Sequence, residues 1–150
     1  MTCGVNTLNQ GIYASDDPAV RLFNTDGNRM TDQELDNCVI SPGTNQTSSA
    51  SSISMKLEIQ SAPLQSSGDL IVVVEVDNST EVGFSDITLS GTGVKNAEVP
   101  SFYTVNATNS VTRAFWVPAT VNGVLNTYYI NLAPKTGQTI GASGSAGTEV

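Results

Sequence analysis

The stretch Ile53-Ser54-Met55-Lys56-Leu57-Glu58-Ile59-Gln60 alternates strictly between apolar and polar side chains. Side chains along a strand point to opposite faces in turn, so a period of two marks a half-buried strand and gives a helix no apolar stripe. A second run, Leu70 to Val76, places Leu70, Val72, Val74 and Val76 on one face. Its other face carries Ile71 and Val73, which predicts a central strand covered on both sides for part of its length.

Further strands are expected at Ser85–Ser90, Val94–Val99, Phe102–Val105, Val111–Val117 and Thr127–Ala133. They are punctuated by Gly91-Thr92-Gly93 and Asn122-Gly123, which tolerate positive φ, and are stopped by Pro100 and Pro118. About seven short strands in roughly eighty residues, with no helical period between them, predict an all-β fold. The expected architecture is an antiparallel β-sandwich that resembles immunoglobulin-like domains at the level of class, with a jelly roll as the alternative. The Cys…Trp…Cys signature of immunoglobulin domains is absent. Phe115 and Trp116 are adjacent, so one is expected in the core and the other at the surface.

The texture changes near residue 50, where Ser41 to Ser52 is almost wholly polar. Residues 1–50 are therefore expected to form an irregular N-terminal arm, 51–135 the sandwich and 136–150 a Gly/Ser-rich tail. Within the arm, Asp17-Pro18 before Ala19-Val20-Arg21-Leu22-Phe23 has the form of a helix start, and Thr31-Asp32-Gln33-Glu34 has capping-box form. The tail has the composition of a segment ordered only against a neighbour.

Serine, threonine, asparagine and glycine account for 60 of the 150 residues; there is no histidine, and the net charge is −8. A chain without imidazole lacks the usual proton shuttle near neutral pH and cannot build a Ser-His-Asp or Cys-His arrangement. Its six cations are not clustered, which argues against nucleic acid and anionic membranes. No apolar run reaches the roughly 18 residues of a membrane-spanning helix. The first residues show no signal-peptide pattern. Acidity suits solubility, a cationic partner or a salty medium.

Candidate sites are few. Asn24, Asp26, Asn28 and Glu34 resemble the ligand positions of an EF-hand calcium loop, in which alternating oxygens and a bidentate carboxylate wrap a hard cation. The spacing is one residue short, and the turn glycine of that loop is missing. The competing expectation is an Asp-Gly turn before a capped helix. Paired-carboxylate hydrolysis would draw on Asp16, Asp17, Glu58, Glu75 and Asp77, whose simpler role is a solvated strand face. Tyr103, Trp116, Tyr128 and Tyr129 would make either a sugar-stacking platform or core aromatics. Sequons at Asn45, Asn78 and Asn106 match the number that composition alone produces. Cys3 and Cys38 would close a loop of about 36 residues if bridged, and otherwise stand as two partly buried thiols.

These features suit a non-enzymatic structural protein of a virion or surface assembly, such as a capsid decoration or minor capsid protein. No cofactor is expected unless calcium binds, and the expected partners are proteins, including further copies of the chain. The alternatives are a secreted adhesin or pilin-like filament subunit, and a carbohydrate- or calcium-binding module.

Overall fold

The computed structural model describes residues 2–5, 8–9, 19–28, 35–42, 53–61, 69–77, 84–103, 110–118, 123–134, 143–144 and 147–149. Its strands are β1 (Thr2–Val5), β2 (Leu8–Asn9), β3 (Ala19–Asn24), β4 (Leu35–Pro42), β5 (Ile53–Ser61) and β6 (Leu70–Asp77). They continue with β7 (Phe84–Ser90), β8 (Lys95–Ala97), β9 (Ser110–Val117), β10 (Leu125–Pro134), β11 (Ser143–Gly144) and β12 (Gly147–Glu149). None of the described residues is helical.

Two five-stranded sheets, ordered β1-β3-β6-β9-β8 and β12-β4-β5-β10-β7, face each other, and β2 pairs with β11 separately. Every described pairing is antiparallel. The core lies between the sheets. The first contributes Val20, Leu22, Leu70, Val72, Val74, Val76, Phe115 and Val117. The second contributes Cys38, Ile40, Met55, Leu57, Ile59, Phe84, Ile87, Leu89, Tyr128, Ile130 and Leu132. The alternation in β5 thus does what the sequence predicts: its apolar set faces inward, with Leu57 opposite Tyr128 and Met55 opposite Ile130 on β10.

The helix expected from Asp17-Pro18 is corrected over residues 19–23, which form β3 and pair with β6 in the register Val20↔Val74, Leu22↔Val72. Val20 and Leu22 fill the inner face while Phe23 is buried on the outer one. Burial on both faces of a sheet outweighs a local capping preference of about 1 kcal/mol. Asp17, Pro18 and the Thr31–Glu34 capping box lie outside the described residues. Phe102 is also corrected: it stands in a turn closed by Tyr103 N–H donating to the Pro100 carbonyl at 2.9 Å, not in a strand. The first fifty residues supply β3 and β4 to the two sheets, and in the tail Gly147–Glu149 pairs with β4 and Ser143–Gly144 with β2.

Strand β1 belongs to the first sheet but also lies alongside β4 of the second. Cys38 on β4 is fully buried and is not a free thiol. The side chain of Cys3 lies outside the described residues.

Turn chemistry follows the sequence where it can be checked, with Gly93 at φ 74° and Gly123 at φ 75°. Gly91 has a different role. A Cβ there would collide with the ring of Tyr128, which is buried in the core. Gly91→Ala is expected to destabilise the fold by about 1–3 kcal/mol through overpacking. Gly123→Ala, with nothing within 4 Å of its added methyl, should cost only about 1 kcal/mol of backbone strain. Urea midpoints of the two variants check that order.

Candidate functional site

The outer face of the first sheet is roofed by its own chain. After β8, residues 98–103 turn back across the sheet. Phe23, Val73 and Ala114 are buried beneath this roof, with Ile71, Ala97, Val99 and Tyr103 packed around them. Phe23 meets Phe102 edge-on at 5.4 Å between ring centroids and Tyr103 at 6.2 Å. This cover explains why β6 is apolar on both faces.

The same face holds a buried carboxylate. Glu75 follows Val73 on the outer side of β6 and is only 5% exposed. The Tyr103 hydroxyl donates to its Oε1 at 3.1 Å, while the Ser110 and Thr112 hydroxyls donate to its Oε2 at 3.4 and 3.3 Å. A carboxylate taken out of water needs such donors to offset its lost hydration. Arg21, on β3, lies with its guanidinium carbon 5.8 Å from the Tyr103 ring centroid. Its Nη1 is buried and has no hydrogen-bond partner among the described residues. With both oxygens of Glu75 accepting hydroxyls, the cluster ties the roof to β6 and β9.

Burial raises the pKa of Tyr103, and the negative charge of Glu75 raises it further against the opposing pull of Arg21. Burial alone raises that of Tyr128. An unfolded tyrosine ionises near pH 10. Above that pH the unfolded chain gives up protons that the folded chain retains. The stability tied to these phenols is therefore complete below about pH 10 and is lost as pH rises through the raised folded values. Urea midpoints should stay level towards pH 10 and fall beyond it, and Tyr103→Phe should make the fall shallower.

Beside the cluster is a cleft of about 380 Å3 between the turn that follows β3 and the roof. Ile71 and Ala97 line it, with Pro100, Phe102, Asp26 and Glu98. The turn is built around Asn24, whose Oδ1 accepts the backbone N–H groups of Asp26 at 3.0 Å and Asn28 at 2.9 Å. Gly27 sits at φ 88°, donates its N–H to the Asn24 carbonyl at 2.9 Å, and lies directly under the Phe102 ring. Of the calcium-loop residues, Asn24, Asp26 and Asn28 thus share one Asx-type turn, and Glu34 lies outside the described residues. Among the described residues no group of three or more Asp, Glu or Cys side chains could hold a metal ion. Calcium titration by calorimetry is expected to give no heat beyond the buffer blank, because the best-placed side-chain oxygen of Asn24 already binds the backbone.

Among the described residues the other sequence candidates do not converge. Glu58 is on the outer face of the second sheet, 3.3 Å from Lys56, so the whole core separates it from Glu75. Asp16, Asp17 and the side chain of Asp77 lie outside the described residues, as do Asn45, Asn78 and Asn106. Tyr128 is in the core and Tyr129 is 40% exposed on the outer face of the second sheet. Tyr103 lies under the roof. Trp116 lies at the β8 edge beneath Lys95 Nζ at 5.0 Å, while its neighbour Phe115 enters the core. Sequence reasoning missed Arg21 and the tie formed by Glu75, Tyr103, Ser110 and Thr112. The available signal was a lone glutamate inside the apolar run of β6. Compared with protein-family models, with curated proteins and with solved structures, the chain finds no match.

Proposed function

We propose that the chain is a building block of a protein assembly, a structural subunit of a virion or cell-surface layer, rather than a catalyst. The observation that carries this reading is where the exposed apolar side chains lie. Val124 and Leu125 are each 47% exposed, and Leu125 shares the outer face of the second sheet with Tyr129. That face also carries the short polar side chains Thr88, Ser90, Thr127 and Asn131, with Gln60 and the Lys56–Glu58 ion pair on the neighbouring strand, a polar setting suited to a wet interface. Glu58 lies on the outer face of the second sheet and Glu75 is buried beneath the roof of the first, so these two carboxylates are too far apart to act as a pair. Along the chain, strands pass repeatedly from one sheet to the other, with β4–β5 and β8–β9 as the paired neighbours. This alternation favours a jelly-roll type of sandwich over an immunoglobulin-like one. Fold alone does not assign function, so the reading draws its support from the exposed face.

A secreted filament or adhesin subunit shares these features and differs in export. It requires the Cys3–Cys38 bridge to be oxidised in protein from the natural source. Native mass spectrometry and sedimentation over a range of concentrations test the assembly reading. We expect defined oligomers or larger regular particles, and their loss in Leu125→Asp/Tyr129→Asp protein that keeps its urea midpoint. A strictly monomeric protein with no regular particles in micrographs of source material would overturn it.

A further inference from the structure

We propose that the cleft between the turn after β3 and the roof receives a cationic side chain, arginine or lysine, of a partner polypeptide. The cleft is the right size for one extended side chain and its flanking backbone. Its floor, from Ile71 and Ala97, suits the aliphatic stem of such a side chain, which buries its methylenes and keeps its charge at the rim. Asp26 and Glu98 stand on opposite walls, one on the turn and one on the roof. Phe102 completes the rim and is 55% exposed, although Phe23 and Gly27 fix its position from below. An aromatic ring held open to solvent beside two carboxylates attracts a cation through its face as well as by charge.

The chain's own described cations are placed elsewhere. Arg21 lies at Tyr103, Lys56 at Glu58, Lys95 over Trp116 and Arg113 at Asp86. Arg29 and Lys135 lie outside the described residues. With a net charge of −8 over the whole chain, the surrounding field also draws positive groups toward the cleft. A bare metal ion is a poorer occupant than an organic cation, because the apolar floor and the ring supply no oxygen ligands. This inference is independent of the assembly reading: a monomer that takes the peptide would leave it intact.

The test uses acetyl-Gly-Arg-Gly-amide, with norleucine and glutamate in place of arginine as comparison peptides, followed by backbone amide shifts in NMR. Saturable shifts with the arginine peptide are expected at residues 25–27 and 97–102, with weaker ones for norleucine and none for glutamate. Asp26→Asn/Glu98→Gln should weaken binding by about five-fold, as expected for two exposed charge contacts. Phe102→Leu, which keeps apolar packing against Phe23 but removes the ring, should weaken it by about three-fold. Glu58→Gln, on the far sheet, should change nothing. Shifts spread over the whole surface and indifferent to the double variant would overturn the proposal, as would no binding at all. Binding that emerges only in Arg29→Ala protein would also overturn it, by showing that the chain fills its own cleft.

Discussion

Glu75→Ala is expected to lower the stability of the fold by about 3–5 kcal/mol, the range found when one side of a buried charged network is removed. The reason lies in what the carboxylate leaves behind. Tyr103, Ser110 and Thr112 each donate a hydroxyl proton to it. All three residues are partly buried, so water would replace the lost acceptor only incompletely. The buried Arg21 Nη1, without a hydrogen-bond partner among the described residues, would also lose the negative charge that shares Tyr103 with it. Glu75→Gln keeps the shape and one acceptor, and the hydroxyls can rotate to meet the new amide, so a loss nearer 1–2 kcal/mol is expected. Urea unfolding followed by circular dichroism measures both. A Glu75→Ala protein within about 0.5 kcal/mol of the parent, the range of ordinary surface changes, would show that the cluster does not hold the roof. The same variant should increase protease cleavage within residues 98–103, since Tyr103 loses its anchor.

Breaking a Cys3–Cys38 bridge is the second large expected effect. We propose this bridge because Cys38 is buried with no free thiol and β1, which carries Cys3, runs alongside β4. A loop of about 36 residues makes the cross-link worth about 4 kcal/mol in the chain-entropy account. Since β1 belongs to one sheet and β4 to the other, the bond would also pin the two layers together at one margin. Thiol titration in denaturant should find no reactive cysteine before reduction and both after it. Cys38→Ala should lower the urea midpoint as reduction does, and reduction should then have no further effect on the variant. Two thiols titrating in unreduced protein would remove the bridge from consideration.

The sandwich was legible where burial imposes a period. β5 shows its apolar set at Ile53, Met55, Leu57 and Ile59, and β6 shows apolar residues on both faces, which is why it sits centrally under a roof. β3 was not legible, for a specific reason. Val20, Leu22 and Phe23 are all apolar, so the segment carries neither a clean period of two nor a period that excludes a helix. Its strand identity comes from pairing with β6, some fifty residues further along the chain. The Glu75 cluster was hidden for a related reason. Arg21, Glu75, Tyr103 and Ser110 share no spacing in sequence, and only the fold brings them together. The cleft is similar: in sequence Asp26 belongs to a stretch that resembles a calcium loop or an Asp-Gly turn, while Glu98, which also lines the cleft, comes from the roof some seventy residues further on.

One sheet wears a cover made from residues 98–103, and the other presents its outer strands to solvent. A body with two such unlike sides has a top and a bottom. Laid into a two-dimensional array with every copy the same way up, it would give a film whose surfaces differ chemically, one dotted with aromatic-rimmed acidic notches and the other bearing Leu125, Tyr129 and the Lys56–Glu58 ion pair among short polar side chains. Flipping alternate copies would bring those notches onto both surfaces and cancel the difference.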